Sequence, residues 1–241
     1  MSAGAEAVEL LAGGEIVEAF CSVGVTAFTT GRAAGTFSLQ SGEPARDVSA
    51  RWSALRAHLG GPAVRLATAT QVHGREVLIH ADGWRGWLRG DAADGHLSAV
   101  RGTAMAVTVA DCVPVFIAHP TGAAAVVHSG WRGTEARITA AAIAELAALG
   151  YAADELLVHC GPAICGRCYE VSADVYTRLT GMPASQPTRV DLRAIIAEHA
   201  RGCGVRRISV SSLCTRCDND RFFSHRAGDA GRQLGVLMLD P

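Results

Sequence analysis

From Ala104 to Ala118 the chain is almost continuously apolar, and no other stretch constrains the fold as strongly. Asp111 and Pro114 interrupt it, and it falls short of the ~18 apolar residues of a membrane-spanning helix. Split at that interruption, Thr103–Ala110 and Val113–His119 read as strands apolar at nearly every position, hence buried on both faces. Ala123–His128 and Glu155–Cys160 have the same character. Strands that hide both faces require a further layer on each side of their sheet. Other strand-like runs lie at Val25–Thr30, Val64–Thr70, Arg75–His80, Ile208–Leu213 and Leu234–Leu239, with His73-Gly74 as a turn.

Helical spacing is clearest over Glu135–Leu149, where Ile138, Ala142, Leu146 and Leu149 share a face and Gly150 suits the stop. Asp191 suits the N-cap of a helix to Arg201, ended by Gly202. Further helices are expected after Ser172 and over Val48–Leu59. No linker, charge run or repeat divides the chain. The expected fold is α/β, a single domain of mixed sheet and flanking helices over residues 21–241, preceded by a loose N-terminal segment over 1–20.

Function is to be sought where polar residues interrupt apolar strands. Three such places are Gln71-Val72-His73-Gly74, Ala110-Asp111-Cys112-Val113-Pro114 and His128-Ser129-Gly130-Trp131-Arg132-Gly133. Each sets an imidazole or thiol at a strand end, where a sheet can present it to a shared cleft. His73, Cys112 and His128 make a His₂Cys set, and zinc with three protein ligands keeps an open position that acidifies water towards about pH 7. Their spacing carries no local signature. It leaves open a buried thiol with two hydrogen-bonded histidines, or a hydrolase with Cys112 as nucleophile and His128 as base. Cys165-x₂-Cys168 and Cys214-x₂-Cys217 formally resemble two halves of a four-thiolate zinc site. With 45 residues between the pairs they read as ordinary thiols, a structural zinc or a disulfide being the alternatives.

Composition excludes several classes. The 22 basic residues are all arginine and stand against 23 acidic ones, a balance with no footprint for nucleic acid or an anionic membrane. Without lysine there is no Schiff-base or P-loop chemistry. The start carries Glu6, Glu9, Glu15 and Glu18 but no basic residue, unlike a secretory signal, so a cytoplasmic protein is expected. The nine histidines never come closer than seven positions apart. That spacing denies both a zinc-protease HExxH and the His-x-His pairs of a trinuclear copper cluster, which excludes laccase chemistry. A single copper on the His₂Cys set, with Met105 or Met238 axial, is the lesser alternative to zinc.

QVHG at 71–74, ADCVPV at 110–115, HSGWRG at 128–133, GPAICGRCYEV at 161–171, CT at 214–215 and FFSHR at 222–226 with Gly231-Arg232 occur in that order. Together they resemble the laccase-domain family, the YfiH-like proteins formerly labelled polyphenol oxidases. The resemblance implies a layered YfiH-like sheet and a purine nucleoside phosphorylase with adenosine deaminase and methylthioadenosine phosphorylase activities. Its implied metal ligands are His73, Cys112 and His128, and its implied substrates are purine nucleosides (adenosine, inosine, guanosine, methylthioadenosine) and phosphate. Water would attack C6 of adenine in deamination, and phosphate would attack C1′ in phosphorolysis. Asp111 is expected to orient a ligand or accept a substrate hydroxyl, and Gln71 to bond a ligand through its amide. Arg132, Arg226 and Arg232 are the expected phosphate readers, since the guanidinium fork matches phosphate oxygens. A monomer or weak homodimer is expected. The family pattern is broken at Ser38-Leu39-Gln40 (usually Ser-Leu-Asn), Arg51-Trp52 (Asn-Arg), His225-Arg226-Ala227 (aromatic-Arg-Arg) and Ser129 (Ala), with Arg32 as the N-terminal arginine. These breaks allow the other reading, a zinc-binding scaffold without turnover.

Overall fold

The computed structural model describes residues 11–241 and turns the long apolar stretch into strands with both faces covered. One mixed sheet runs in the order β1 (Glu15–Ile16), β2 (Val25–Thr29), β14 (Gln233–Leu239), β7 (Thr103–Val109), β3 (Arg65–Ala69) and β5 (Trp87–Gly90). The other runs β13 (Arg207–Val210), β10 (Leu157–Cys160), β8 (Val113–His119), β9 (Ala123–Ser129), β6 (Gly95–Ser98) and β4 (Val77–His80). A short ladder joins β11 (Glu170–Val171) to β12 (Thr188–Arg189). The helices are α1 (Glu18–Cys21), α2 (Ala45–His58), α3 (Trp131–Glu135), α4 (Ile138–Ala148), α5 (Ala173–Thr180) and α6 (Leu192–Gly202).

Alternation along each strand assigns its residues to different cores. Met105 and Val107 of β7 meet Phe116 of β8, Val126 of β9 and Leu237 of β14 between the sheets. Their neighbours Ala104, Ala106, Leu234 and Val236 pack on Val48, Trp52 and Leu55 of α2. On the far side Val113, Val115, Ala125 and Val127 pack on Ile138, Ala142 and Leu146 of α4 and Ile196 of α6. The order is helix, sheet, sheet, helix, which is the layered α/β architecture expected. No helix among the described residues is long and apolar enough to cross a membrane.

Three features differ from the sequence reading. The helix expected over 135–149 forms as α4 but begins at Ile138, because Arg137 takes a left-handed conformation (φ 60°) that separates it from the short α3 ending at Glu135. Strands β5 and β6 were not anticipated; β5 is an exposed edge, and β6 buries His96 and Ser98 where alternation calls for apolar residues. Of the N-terminal segment, residues 1–10 lie outside the described residues, whereas Glu15 and Ile16 pair with Thr29 and Phe28.

The buried polar residues of β6 carry a prediction. His96 Nδ1 lies 2.9 Å from His80 Nε2 on β4. Burial, then the neighbouring His80, pushes the His96 imidazole down to about 3, and burial lowers His80 too. A histidine held neutral in the fold is protonated first in the unfolded chain, so stability is full above the ordinary value of 6.5 and falls as pH drops below it. The melting temperature should therefore decline between about pH 6.5 and 5, with His96→Asn flattening the decline. A melting temperature constant over that range would contradict this.

Candidate metal centre

Three strand ends meet at one place. His73 stands in the turn after β3, Cys112 in the β7–β8 turn, and His128 near the end of β9 just before α3. Their ligand atoms all lie within 4.8 Å of one another, and the two imidazoles meet edge to face. His73 is exposed, Cys112 half-buried and His128 buried, so the group is open on one side. Two of the turns use left-handed backbone at non-glycine residues, His73 (φ 60°) and Asp111 (φ 77°).

A residue absent from the sequence reading organises this group. Asp94, fully buried just before β6, places Oδ1 2.8 Å from His128 Nδ1. The same carboxylate accepts the amides of Val72 (3.1 Å), His73 (3.0 Å) and Gly74 (2.7 Å), and so shapes the whole 72–74 turn. With Nδ1 committed to Asp94, His128 offers Nε2 to Cys112, the usual arrangement behind a metal-bound histidine. Burial alone would raise Asp94, but the bonds from His128 and the amides outweigh it and hold it below the usual carboxylate range.

Burial would also push the Cys112 thiol up, yet His128 and His73 bring it down to about 6. Burial would lower His128, but the Cys112 thiolate and Asp94 raise it to about 9. Near neutral pH, then, the sulfur is a thiolate in need of a cation. A proton on His128 or a divalent metal shared by all three residues meets that need, and a soft sulfur with two imidazoles suits zinc. Space is reserved for this: a Cβ on Gly130 would come 2.8 Å from Cys112 Sγ and 3.3 Å from His73 Cδ2. Gly130→Ala should leave the fold intact and weaken metal binding about 10–100-fold, the cost of disturbing ligand support. Competition with a chelating dye would check this, and unchanged affinity would contradict the reserved space.

A cavity of about 580 Å³ opens onto the triad, within the size range of small-molecule sites. Phe37, Leu39 and Trp52 give it an apolar wall; Arg89, His225 and Arg232 are polar parts of its lining. The 36–43 loop on this wall is held by the residues that break the family pattern. Trp52 Nε1 donates to the Phe37 carbonyl at 3.1 Å, and Arg51 bonds the Thr36 carbonyl and Glu43. Ser129, a third break, shares a 2.9 Å hydrogen bond with Thr134.

The other anticipated site residues are placed unevenly. Gln71 lines the cavity, but its amide is occupied by Thr108, accepting from the backbone N–H and hydroxyl and donating to the carbonyl. Asp111 accepts the Thr215 hydroxyl and the Arg226 amide, each at 2.6 Å, and so ties the β7–β8 turn to two later segments. Arg226 bonds the Glu170 carbonyl and lies over the Tyr169 ring, while Arg132 lies over Trp131; neither lines the cavity. Arg32 is paired with Asp229 at 2.6 Å. Arg232 does line the cavity, with Nη1 on three carbonyls of its own loop. Arg89, on the unanticipated strand β5, lines it as well.

Residues 26–240 match a family model described as multi-copper polyphenol oxidoreductase laccase. A purine nucleoside phosphorylase of Streptomyces griseus is 33% identical over 191 residues, covering 76% of this chain and 78% of that protein. One of Mycobacterium tuberculosis is 34% identical over 236 residues, covering 91% and 94%. An adenosine deaminase from an unknown prokaryotic organism is 32% identical over 160 residues, 61% of this chain and 59% of that one. The crystal structure of the hypothetical protein YfiH from Bacillus licheniformis superposes with a TM-score of 0.85 over 94% of this chain and 96% of that one. At 24% identity that likeness speaks for the fold alone.

Proposed function

We propose, from the premise that this chain belongs to the family described as multi-copper polyphenol oxidoreductase laccase, that it processes purine nucleosides at one zinc held by His73, Cys112 and His128. The observation that carries this reading is a nucleoside-sized cavity opening directly onto the triad, in a chain whose relatives are named for purine nucleoside phosphorolysis and adenosine deamination. The copper in the family's description does not suit the donor set. Among the described residues the two groups able to hold a metal offer two histidines between them, too few for a trinuclear cluster.

When bound, zinc supplies a Lewis acid with an open coordination position. The rest falls to the chain. Asp94 holds His128 and the 72–74 turn in place, and the wall of Phe37, Leu39 and Trp52 accepts the flat purine and excludes water. Arg89 and Arg232, the arginines on the cavity lining, take the phosphate role that the sequence also gave to Arg132 and Arg226. In phosphorolysis a phosphate oxygen bonds C1′ as the C1′–N9 bond breaks and the purine leaves with a proton. In deamination water adds at C6 and ammonia departs.

The lowered Cys112 thiol favours a second reading, a cysteine nucleophile with His128 as base. A nucleophile needs one base, whereas here two imidazoles converge on the sulfur, which favours the metal. Zinc-loaded protein given adenosine and phosphate should yield adenine and ribose 1-phosphate; without phosphate it should yield only inosine and ammonia. Alkylation of Cys112 at full zinc occupancy, with adenosine, inosine and methylthioadenosine all left intact, would favour the nucleophile instead.

A further inference from the structure

Away from the nucleoside cavity, four thiols that sequence spacing treats as independent come together. The sulfurs of Cys165, Cys168, Cys214 and Cys217 lie within 4.8 Å of one another, and those of Cys168 and Cys217 are 3.4 Å apart. Around a tetrahedral zinc with Zn–S bonds of about 2.3 Å, sulfurs sit about 3.8 Å from each other. The four are thus already spaced for a single ion. A backbone bridge between Ala163 and Cys214, with the Thr215 amide donating to the Ala163 carbonyl, joins the two loops that carry them. The amides of Cys165 (3.2 Å) and Cys217 (3.4 Å) both donate to Cys214 Sγ, which fixes that sulfur between the two loops.

The residues between the cysteines agree with this. Each loop has arginine in its third place, Cys165-Gly166-Arg167-Cys168 and Cys214-Thr215-Arg216-Cys217. Four thiolates around one divalent ion leave two net negative charges, and the Arg167 guanidinium, bonded to Cys165, is placed to offset them. Arg216 bonds the Cys168 carbonyl, clamping one loop to the other.

We propose that Cys165, Cys168, Cys214 and Cys217 bind one zinc ion as a closed structural site, separate from the His73–Cys112–His128 centre. Binding forms four Zn–S bonds and releases four thiol protons to solvent, with no electron transferred. The site supports the catalytic turn at one remove. Thr215, between two of the ligands, donates to the Asp111 carboxylate, and Ile164, beside Cys165, donates to the Asp111 carbonyl. Asp111 in turn adjoins Cys112. A Cys168–Cys217 disulfide would use only two of the four sulfurs and would require an oxidant.

The test is metal content, which does not depend on activity. Full-length protein expressed with zinc and purified under reducing conditions should carry two zincs per chain by atomic emission and non-denaturing mass spectrometry. Cys112→Ala and Cys168→Ser should each carry one, and the double variant none. Cobalt-loaded Cys112→Ala should still show strong thiolate-to-cobalt absorption, a readout that holds even if Cys168→Ser fails to fold. A single zinc in the wild type, lost on Cys112→Ala, would overturn the proposal. So would cobalt-loaded Cys112→Ala without thiolate absorption, or a wild-type mass lowered by the two hydrogens of a Cys168–Cys217 disulfide.

Discussion

Cys112→Ala should empty the triad of metal and lower nucleoside turnover at least ~10³-fold, the rate equivalent of several kcal/mol of lost Lewis-acid stabilisation. The effect is large because Cys112 supplies the only anionic ligand of the three, and its charge offsets that of the cation. Its removal leaves His73 and His128 facing a gap, with His128 still bonded to Asp94. The fold should survive, because Cys112 sits in a turn and not in any of the three apolar cores. Turnover assays beside thermal melts would check this. A variant that melts early and loses activity in proportion would show a structural role for the thiol instead.

Asp94→Asn should be costly in both stability and metal binding. The carboxylate accepts three backbone amides and faces His128 Nδ1, all within 3.1 Å. An amide side chain presents N–H to at least one of those donors, leaving buried groups unpaired. Breaking a buried pair of this kind costs about 3–5 kcal/mol. At this chain length that corresponds to a melting temperature lower by roughly 10 °C. Zinc affinity should fall about 10–100-fold, since the 72–74 turn and the His128 tautomer lose their common support. Calorimetry and a chelator titration on the same preparation would measure both. A normal melting temperature with weakened zinc would confine Asp94 to the metal centre.

The parts of this architecture visible in the sequence are those governed by continuous burial. β7, β8, β9 and β14 each read as apolar runs because nearly every residue is buried on one face of its sheet or the other, and their bounds fell within a residue or two of the observed ones. The α6 cap was equally legible, Asp191 accepting the Arg193 and Ala194 amides as its position suggests. β6 was hidden because its buried His96 Nδ1 and Ser98 hydroxyl hydrogen-bond to β4, a pairing that no local pattern announces. Asp94 was hidden with it, since Gly90-Asp91-Ala92-Ala93-Asp94-Gly95 looks like any polar turn. One signal was present: a histidine that ligates metal through one nitrogen needs an acceptor at the other. For Arg226 the matched motif does not disclose where the side chain goes. Arg226 lies in a matched motif, but the motif contributes its backbone amide to Asp111 while its side chain turns to Glu170 and Tyr169. The convergence of Cys165, Cys168, Cys214 and Cys217 depends on the tertiary bridge at Ala163, which a spacing of 45 residues could not disclose.

The central claim is that a metal held by His73, Cys112 and His128 enables turnover of purine nucleosides in the adjoining cavity. It is tested most directly by following product formation from adenosine and phosphate while zinc is returned to chelator-stripped protein. Stripped protein should be inactive, and adenine with ribose 1-phosphate should appear in step with zinc occupancy, but not in Cys112→Ala at any zinc concentration. Turnover that persists undiminished in stripped protein, or fully loaded protein that leaves adenosine, inosine and methylthioadenosine unchanged, would contradict the claim.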